Sequence, residues 1–168
     1  MPYYERMTAK IKNVIKTNVY PPMFNKKRWK SVKHTNCYAY ALDLTISDKK
    51  EQIFIPGCIS NPDVIPAIFN PNELITRLKK DLDFLGLSYR EDNGELKKGE
   101  WRIAFYSFPS CYDYPINFHF VRQDEDGCWS EKKSWKAMVS KEREKSDLPP
   151  DLSEYDGKLI GVLILSKK

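Results

Sequence analysis

A chain of 168 residues, 41% hydrophobic and 13% aromatic, is long and apolar enough for one domain with its own core and falls outside the composition of disordered chains. Its apolar runs stop short of the ~20 residues that span a bilayer, and the opening MPYYERMTAKIKNVIKTN has neither the apolar stretch nor the small-residue cleavage site of a secretory signal, so no membrane span is expected and the expected location is cytoplasmic. The net charge of +5 is uneven: nine Lys/Arg against Glu5 alone fall in residues 1–34, whereas the rest carries 19 basic and 22 acidic residues.

That asymmetry separates a basic N-terminal arm, 1–34, from residues 35–168, within a single globular domain overall. In the arm, Met7, Ile11, Val14 and Ile15 recur at helical spacing and predict a short amphipathic helix. Pro21-Pro22 ends it, and VYPPMFNKKRWK reads as a loop. The arm is a solvated surface or a contact for an anionic or acidic partner. Nucleic acid is not expected, because Tyr20 and Trp29 are too few aromatics for a stacking platform.

Thr35-Asn36 offers capping side chains, and CYAYALDL follows as a helix. IFIPGCISNPDVIPAIFNP, broken by Pro and Gly, is an irregular crossing segment. Asn70-Pro71-Asn72 caps a second helix, NELITRLKKDLDFLG, with Leu74, Leu78, Leu82 and Leu85 along one face and Gly86 at its end. WRIAFYSF (101–108), NFHFVRQ (117–123) and CWSEKK (128–133) are aromatic-rich with a period near two and read as strands, the last two joined as a hairpin through DEDG. KEREKSDLPPDLSEYDG reads as a polar loop with one helical turn, and KLIGVLIL as a buried strand. Helices followed by a largely antiparallel sheet make an α+β fold.

Cys37, Cys58, Cys111 and Cys128 are widely spread with no CxxC pair, which favours free thiols. His34 and Cys37 have a metal-ligand spacing, but nothing completes a set, and neither metal nor cofactor is expected. At the head of a helix Cys37 can act as a thiolate nucleophile, with free backbone N–H groups to hold an oxyanion. The bland alternative is a buried core thiol. His119, on a strand, is the expected base, with His34 as the less rigid alternative. Glu131 is the expected acceptor for the imidazole. A hairpin loop of Asp124, Glu125 and Asp126 sets it opposite His119, and a bulged turn sets it diagonally; both put the pair on one face. The alternative is an exposed glutamate in SEKK, with Asp113 and Asp124 as reserve acceptors. FPSCYDYP (108–115) borders the cleft, with Cys111 incidental.

NCYAYAL, then IPGC, and later NFHFVRQDEDGCWSEKKS together resemble small bacterial and phage proteins of the papain-like NlpC/P60 type. The resemblance touches about a fifth of the chain. It implies a nucleophile-bearing helix packed on an antiparallel sheet, with Cys37 as nucleophile, His119 as base and Glu131 as third triad member. The position of Glu131 is often histidine in such proteins. Arg122, Trp129 and Ser130 match the motif as structural residues. The implied activity is that of a thiol protease or related hydrolase, a deamidase or acyltransferase included, on an amide or isopeptide bond of a peptide or protein. For a phage protein the setting is the host cytoplasm. The alternative is a non-catalytic papain-like module or inhibitor that engages its partner through the basic arm. No pattern specifies an oligomeric state.

Overall fold

The computed structural model describes residues 21–30, 36–44, 55–61, 63–65, 67–109, 116–133 and 139–168, with the side chains of Lys30 and Arg143 left aside. The helix expected over Met7–Ile15, and His34, Cys111 and Asp113, lie outside the described residues. Among the described residues three helices, α1 (Lys26–Lys30), α2 (Cys37–Ala41) and α3 (Pro71–Phe84), precede the strands β1 (Leu87–Glu91), β2 (Glu100–Phe108), β3 (Asn117–Gln123), β4 (Cys128–Lys132), β5 (Val139–Lys145) and β6 (Lys158–Lys167). The strands form one sheet in the order β1-β6-β2-β3-β4-β5, antiparallel at every pairing. The architecture is a mixed helix and antiparallel-sheet fold of the α+β kind.

α3 begins where its cap dictates: the Asn70 side chain accepts from the Glu73 N–H at 2.9 Å, and Pro71 occupies the first turn. Leu74, Leu78 and Leu82 recur along one face and are fully buried. They meet Trp101, Ile103 and Phe105 of β2 and Leu163 and Leu165 of β6 in the main core, which α2 shares through Tyr38, Ala39 and Ala41. Truncating one such leucine to alanine costs about 2–5 kcal/mol. Gly86 leaves the helix with φ +70°, a conformation other residues resist. The opposite face of the sheet carries a smaller cluster of Ala104, Tyr106, Val121 and Trp129, packed with Phe108, Leu152 and Val162.

The structure departs from the sequence expectations at three elements. LSYRE forms β1, paired along its length with β6 from Leu87↔Lys167 to Glu91↔Leu163. VSKEREK forms β5, where a polar loop was expected, because β4 offers it a backbone ladder from Lys132↔Val139 to Cys128↔Lys145. As the outermost strand it turns Ser140, Glu142, Glu144 and Lys145 to solvent, and charge is how exposed strand edges avoid pairing with other chains. The helical turn expected further on is present at Ser153–Tyr155.

The third departure is α1, in the stretch read as a loop. Its Trp29 is 2% exposed, packs edge-on against Tyr40 at 4.8 Å between ring centroids, and joins Val139. A buried indole is not available to stack on bases. Residues 21–30 are therefore docked on the sheet side of the molecule, while Lys26 and Lys27 stay exposed.

Candidate active site

Asn36 sits in extended backbone (φ −102°, ψ −170°), and its side-chain oxygen accepts from the N–H groups of Tyr38 at 3.1 Å and Ala39 at 3.2 Å. This cap makes Cys37 the first residue of α2. The helix is shorter than CYAYALDL suggested. It stops at Ala41, and Asp43 takes a left-handed turn (φ +53°) to place its carboxylate against two arginines. With two first-turn amides taken by Asn36, the Cys37 N–H is the one its side chain does not use. Five residues also give only a weak axial dipole, so the helix end contributes less to anion stabilisation than the sequence reading expected.

All five residues of α2 are buried. The Tyr38 hydroxyl donates to Asp81 at 2.7 Å, and that carboxylate also accepts from Gly57 N–H at 2.7 Å and from Ser60 through N–H (2.8 Å) and hydroxyl (2.7 Å). The 57–60 turn is thereby tied to α2. On its other side, Tyr40 shares a 2.7 Å hydrogen bond with Ser130 on β4. Arg122, fully buried, donates Nε to Asp124 at 2.8 Å and Nη1 to both the Tyr40 carbonyl (2.9 Å) and Asp43 (3.0 Å), and lies 4.0 Å from the Tyr40 ring centroid. Ser130 also bonds Asp124. Asp124 is thus committed to Arg122 and Ser130, and its place as a reserve acceptor for the imidazole falls away.

The β3–β4 hairpin decides how His119 meets Glu131. Asp124 N–H donates to the Cys128 carbonyl at 2.9 Å, so the loop is Glu125, Asp126 and Gly127, closed by Gly127 at φ +82°. Glu131 then pairs with Val121, and His119 is its diagonal neighbour rather than the residue directly opposite. The registered pairing ends at Val121↔Glu131, and His119 lies just past it. Its Nε2 is 2.6 Å from Glu131 Oε2, and the Cys37 side chain lies near enough to the imidazole to raise its pKa. Burial pulls the imidazole's pKa down, but the influence of Cys37 and Glu131 outweighs it and pushes it up to about 9. The hydrogen bond from His119 holds Glu131 below the usual carboxylate range against its partial burial. Cys37, His119 and Glu131, singled out separately in the sequence, are brought together.

His119 and Glu131 line a cavity of about 270 Å³ with Lys133, and Phe108, Leu152 and Tyr155 form its aromatic and aliphatic wall. A larger cavity of about 650 Å³ runs along β5 past Trp129, Glu142 and Pro150 and contains none of the three. Cys58 and Cys128 are buried free thiols, and burial pushes Cys58 up to about 12, which makes it a poor nucleophile. Among the described residues no three His, Cys, Asp or Glu side chains gather as metal ligands, and no helix is long and apolar enough to cross a membrane.

The sequence reading left Lys132 without a role, although it ends the WSEK stretch. It is 1% exposed, and burial pulls its ammonium down to about 8 while the charge of Cys37 acts in the other direction. Its alternation with Ser130, which faces α2, is the signal that it points inward.

Comparison of the chain with models of protein families, with curated proteins and with solved structures finds no match. The geometry of the site is accordingly the basis for a functional reading.

Proposed function

We propose that this chain is a thiol-dependent hydrolase or transferase of papain-like, NlpC/P60 type, acting on an amide or isopeptide bond of a peptide or protein through Cys37, His119 and Glu131. The observation that carries the reading is the imidazole of His119, 2.6 Å from the Glu131 carboxylate and close enough to the Cys37 side chain for that side chain to raise its pKa. A sulfur, an imidazole and an orienting carboxylate in that order are the parts of an activated nucleophile. With Nε2 given to Glu131, Nδ1 serves the sulfur. An imidazole held protonated to about 9 matches a resting thiolate–imidazolium pair.

In this mechanism the Cys37 thiolate attacks the carbonyl carbon, and the C=O electron pair moves to oxygen. The oxyanion collapses, the C–N bond breaks, and the His119 imidazolium gives its proton to the departing amine, leaving a thioester on Cys37. Water, or an amine acceptor in the transferase form, then adds to the thioester as His119 takes its proton. The tetrahedral adduct collapses, and the sulfur leaves as thiolate. Glu131 stays ionised throughout and fixes the ring.

Alkylation by iodoacetamide tests the reading. At pH 7 Cys37 should be labelled at least ~10-fold faster than the other three thiols, as followed by mass spectrometry of peptides, because the thiolate is the reacting form. His119→Ala should abolish the difference. Equal, slow labelling of all four thiols overturns the proposal.

A further inference from the structure

The reaction just described needs a place for the half of the substrate that departs. The cavity of about 270 Å³ beside His119 has Glu131, Lys133, Phe108, Leu152 and Tyr155 as its other lining residues, and Cys37 is not in its wall. Phe108 ends β2, and Leu152 and Tyr155 come from the turn before β6. In that turn the Tyr155 and Gly157 N–H groups donate to the Leu152 carbonyl at 3.0 and 2.9 Å, and Asp156 takes a left-handed conformation (φ +61°). The Tyr106 hydroxyl donates to the Pro150 carbonyl at 2.6 Å and fastens the same segment to β2. The turn lies directly on Phe108. A methyl group at Gly157 would stand 2.8 Å from Leu152 Cβ and 2.9 Å from Phe108 Cε1, well inside carbon van der Waals contact. The apolar wall is therefore fixed before anything binds, which spares a ligand the cost of ordering it.

Size and charge narrow the occupant. An apolar cavity of about 150 Å³ holds a benzene ring, so one of about 270 Å³ takes a benzyl, indole or branched aliphatic side chain. Tyr155, 67% exposed, offers an uncovered ring to it. The charges inside are matched to each other: Glu131 is 2.6 Å from His119 and 3.8 Å from Lys133. A charged side chain would lose its water against Phe108 and Leu152 and meet counter-ions already engaged.

We propose that this cavity is the recognition pocket for a large apolar side chain, aromatic above all, on the amine side of the cleaved bond. The substrate class is then a peptide or protein with such a residue directly after the scissile carbonyl. The side follows from the chemistry. The acyl half stays on Cys37, the departing amine takes its proton from His119, and His119 is the group of the pair that lines the pocket. In the transferase form the incoming amine enters the same way, and its side chain is selected alike. The inference rests on the reading of Cys37 as nucleophile and His119 as its proton carrier.

The test is a titration of the full chain with L-phenylalaninamide, which carries the amine and side chain of the departing half. Alaninamide and lysinamide serve as comparisons, each taken to tens of millimolar at constant pH, with the His119 imidazole resonances as the readout. One missing methylene in an apolar pocket is worth about 10- to 200-fold. Phenylalaninamide should therefore shift His119 at concentrations at least ~10-fold below those of the other two amides. Tyr155→Ala, at a largely exposed position, and Leu152→Ala should each bring the amides to within about threefold of one another. Equal binding of the three amides, no shift of His119, or a preference that survives in both variants overturns the inference. N-acetyl-phenylalanyl chloromethyl ketone tests the side, because it places its ring on the acyl half when it alkylates Cys37. Any advantage it has over its alanyl analogue should survive Tyr155→Ala; an advantage that the variant abolishes moves the pocket to the acyl half and overturns the assignment. A phenylalaninamide preference in a chain whose Cys37 reacts with iodoacetamide no faster than Cys58 and Cys128 overturns the hydrolase reading instead, and leaves the selectivity of the pocket standing.

Discussion

Replacing Glu131 by glutamine keeps an acceptor oxygen against His119 and removes the charge. The 2.6 Å separation between Nε2 and Oε2 is that of a charge-assisted hydrogen bond. Such bonds contribute about 1.5–3 kcal/mol, against about 0.5–1.5 kcal/mol for neutral ones. The difference, about 1–1.5 kcal/mol, corresponds to roughly 5- to 13-fold in the protonation constant of the imidazole. His119, pushed up to about 9 in the native chain, should fall to about 8 in Glu131→Gln, and not to 6.5, because the influence of Cys37 remains. Imidazole NMR across a pH titration reads this directly. The chain has two histidines, and a His34→Asn variant assigns the signals.

The stability consequence has a definite sign. A histidine held above its unfolded value of 6.5 stabilises the fold fully below that pH and loses the contribution as pH rises through 9. Glu131, held below 4.5, contributes above that value and loses the contribution as pH falls through its lowered folded value. The stability gap between native chain and Glu131→Gln should be widest from about pH 5 to about pH 8 in urea unfolding. A native His119 that titrates near 6.5, or a Glu131→Gln variant that keeps the native midpoint, refutes this account of the site.

Two further substitutions test the frame around it. Arg122→Met strips a cation from between the buried carboxylates of Asp43 and Asp124, and should cost about 3–5 kcal/mol in urea unfolding; a loss under about 1 kcal/mol would mean that Arg28 and Ser130 suffice to hold them. Asn36→Ala removes the acceptor for two amides of α2 and should cost about 1 kcal/mol, with Asn36→Asp close to the native chain; equal stability of all three would show that the cap is dispensable.

How far the fold can be read in advance differs by element. α3 announces itself through Asn70, Pro71 and a leucine stripe, and β2, β3, β4 and β6 through aromatic or β-branched alternation, because both signals are local. β1 gives no local signal because LSYRE has few apolar positions and owes its strand character to β6. KEREK gives none because an edge strand with solvent on its outer side can carry the composition of a loop. α1 is held by Trp29 finding a distant pocket between Tyr40 and Val139, a contact no local pattern encodes.

At the site, residue identities were legible and geometry was not. Cys37 behind a cap, a histidine on a strand and a carboxylate of matching parity can be picked out one by one. Whether His119 meets Glu131 squarely or diagonally depends on Gly127 adopting φ +82° inside the loop, a backbone choice that DEDG alone leaves open. Lys132 was illegible for a different reason: lysine is ordinarily a surface residue, and its burial shows only once Ser130 is seen bonded to Tyr40.

A five-residue helix has no independent existence in water, since nucleating a turn costs more than one short run of hydrogen bonds returns. α2 borrows its order from the sheet, through the Tyr40–Ser130 bond and the grip of Arg122 on the Tyr40 carbonyl. Whatever chemistry occurs at Cys37 is consequently inseparable from the cooperative fold. No partly melted form can keep the sulfur and imidazole aligned, and in a denaturant series thiol reactivity and tertiary structure should vanish along one curve.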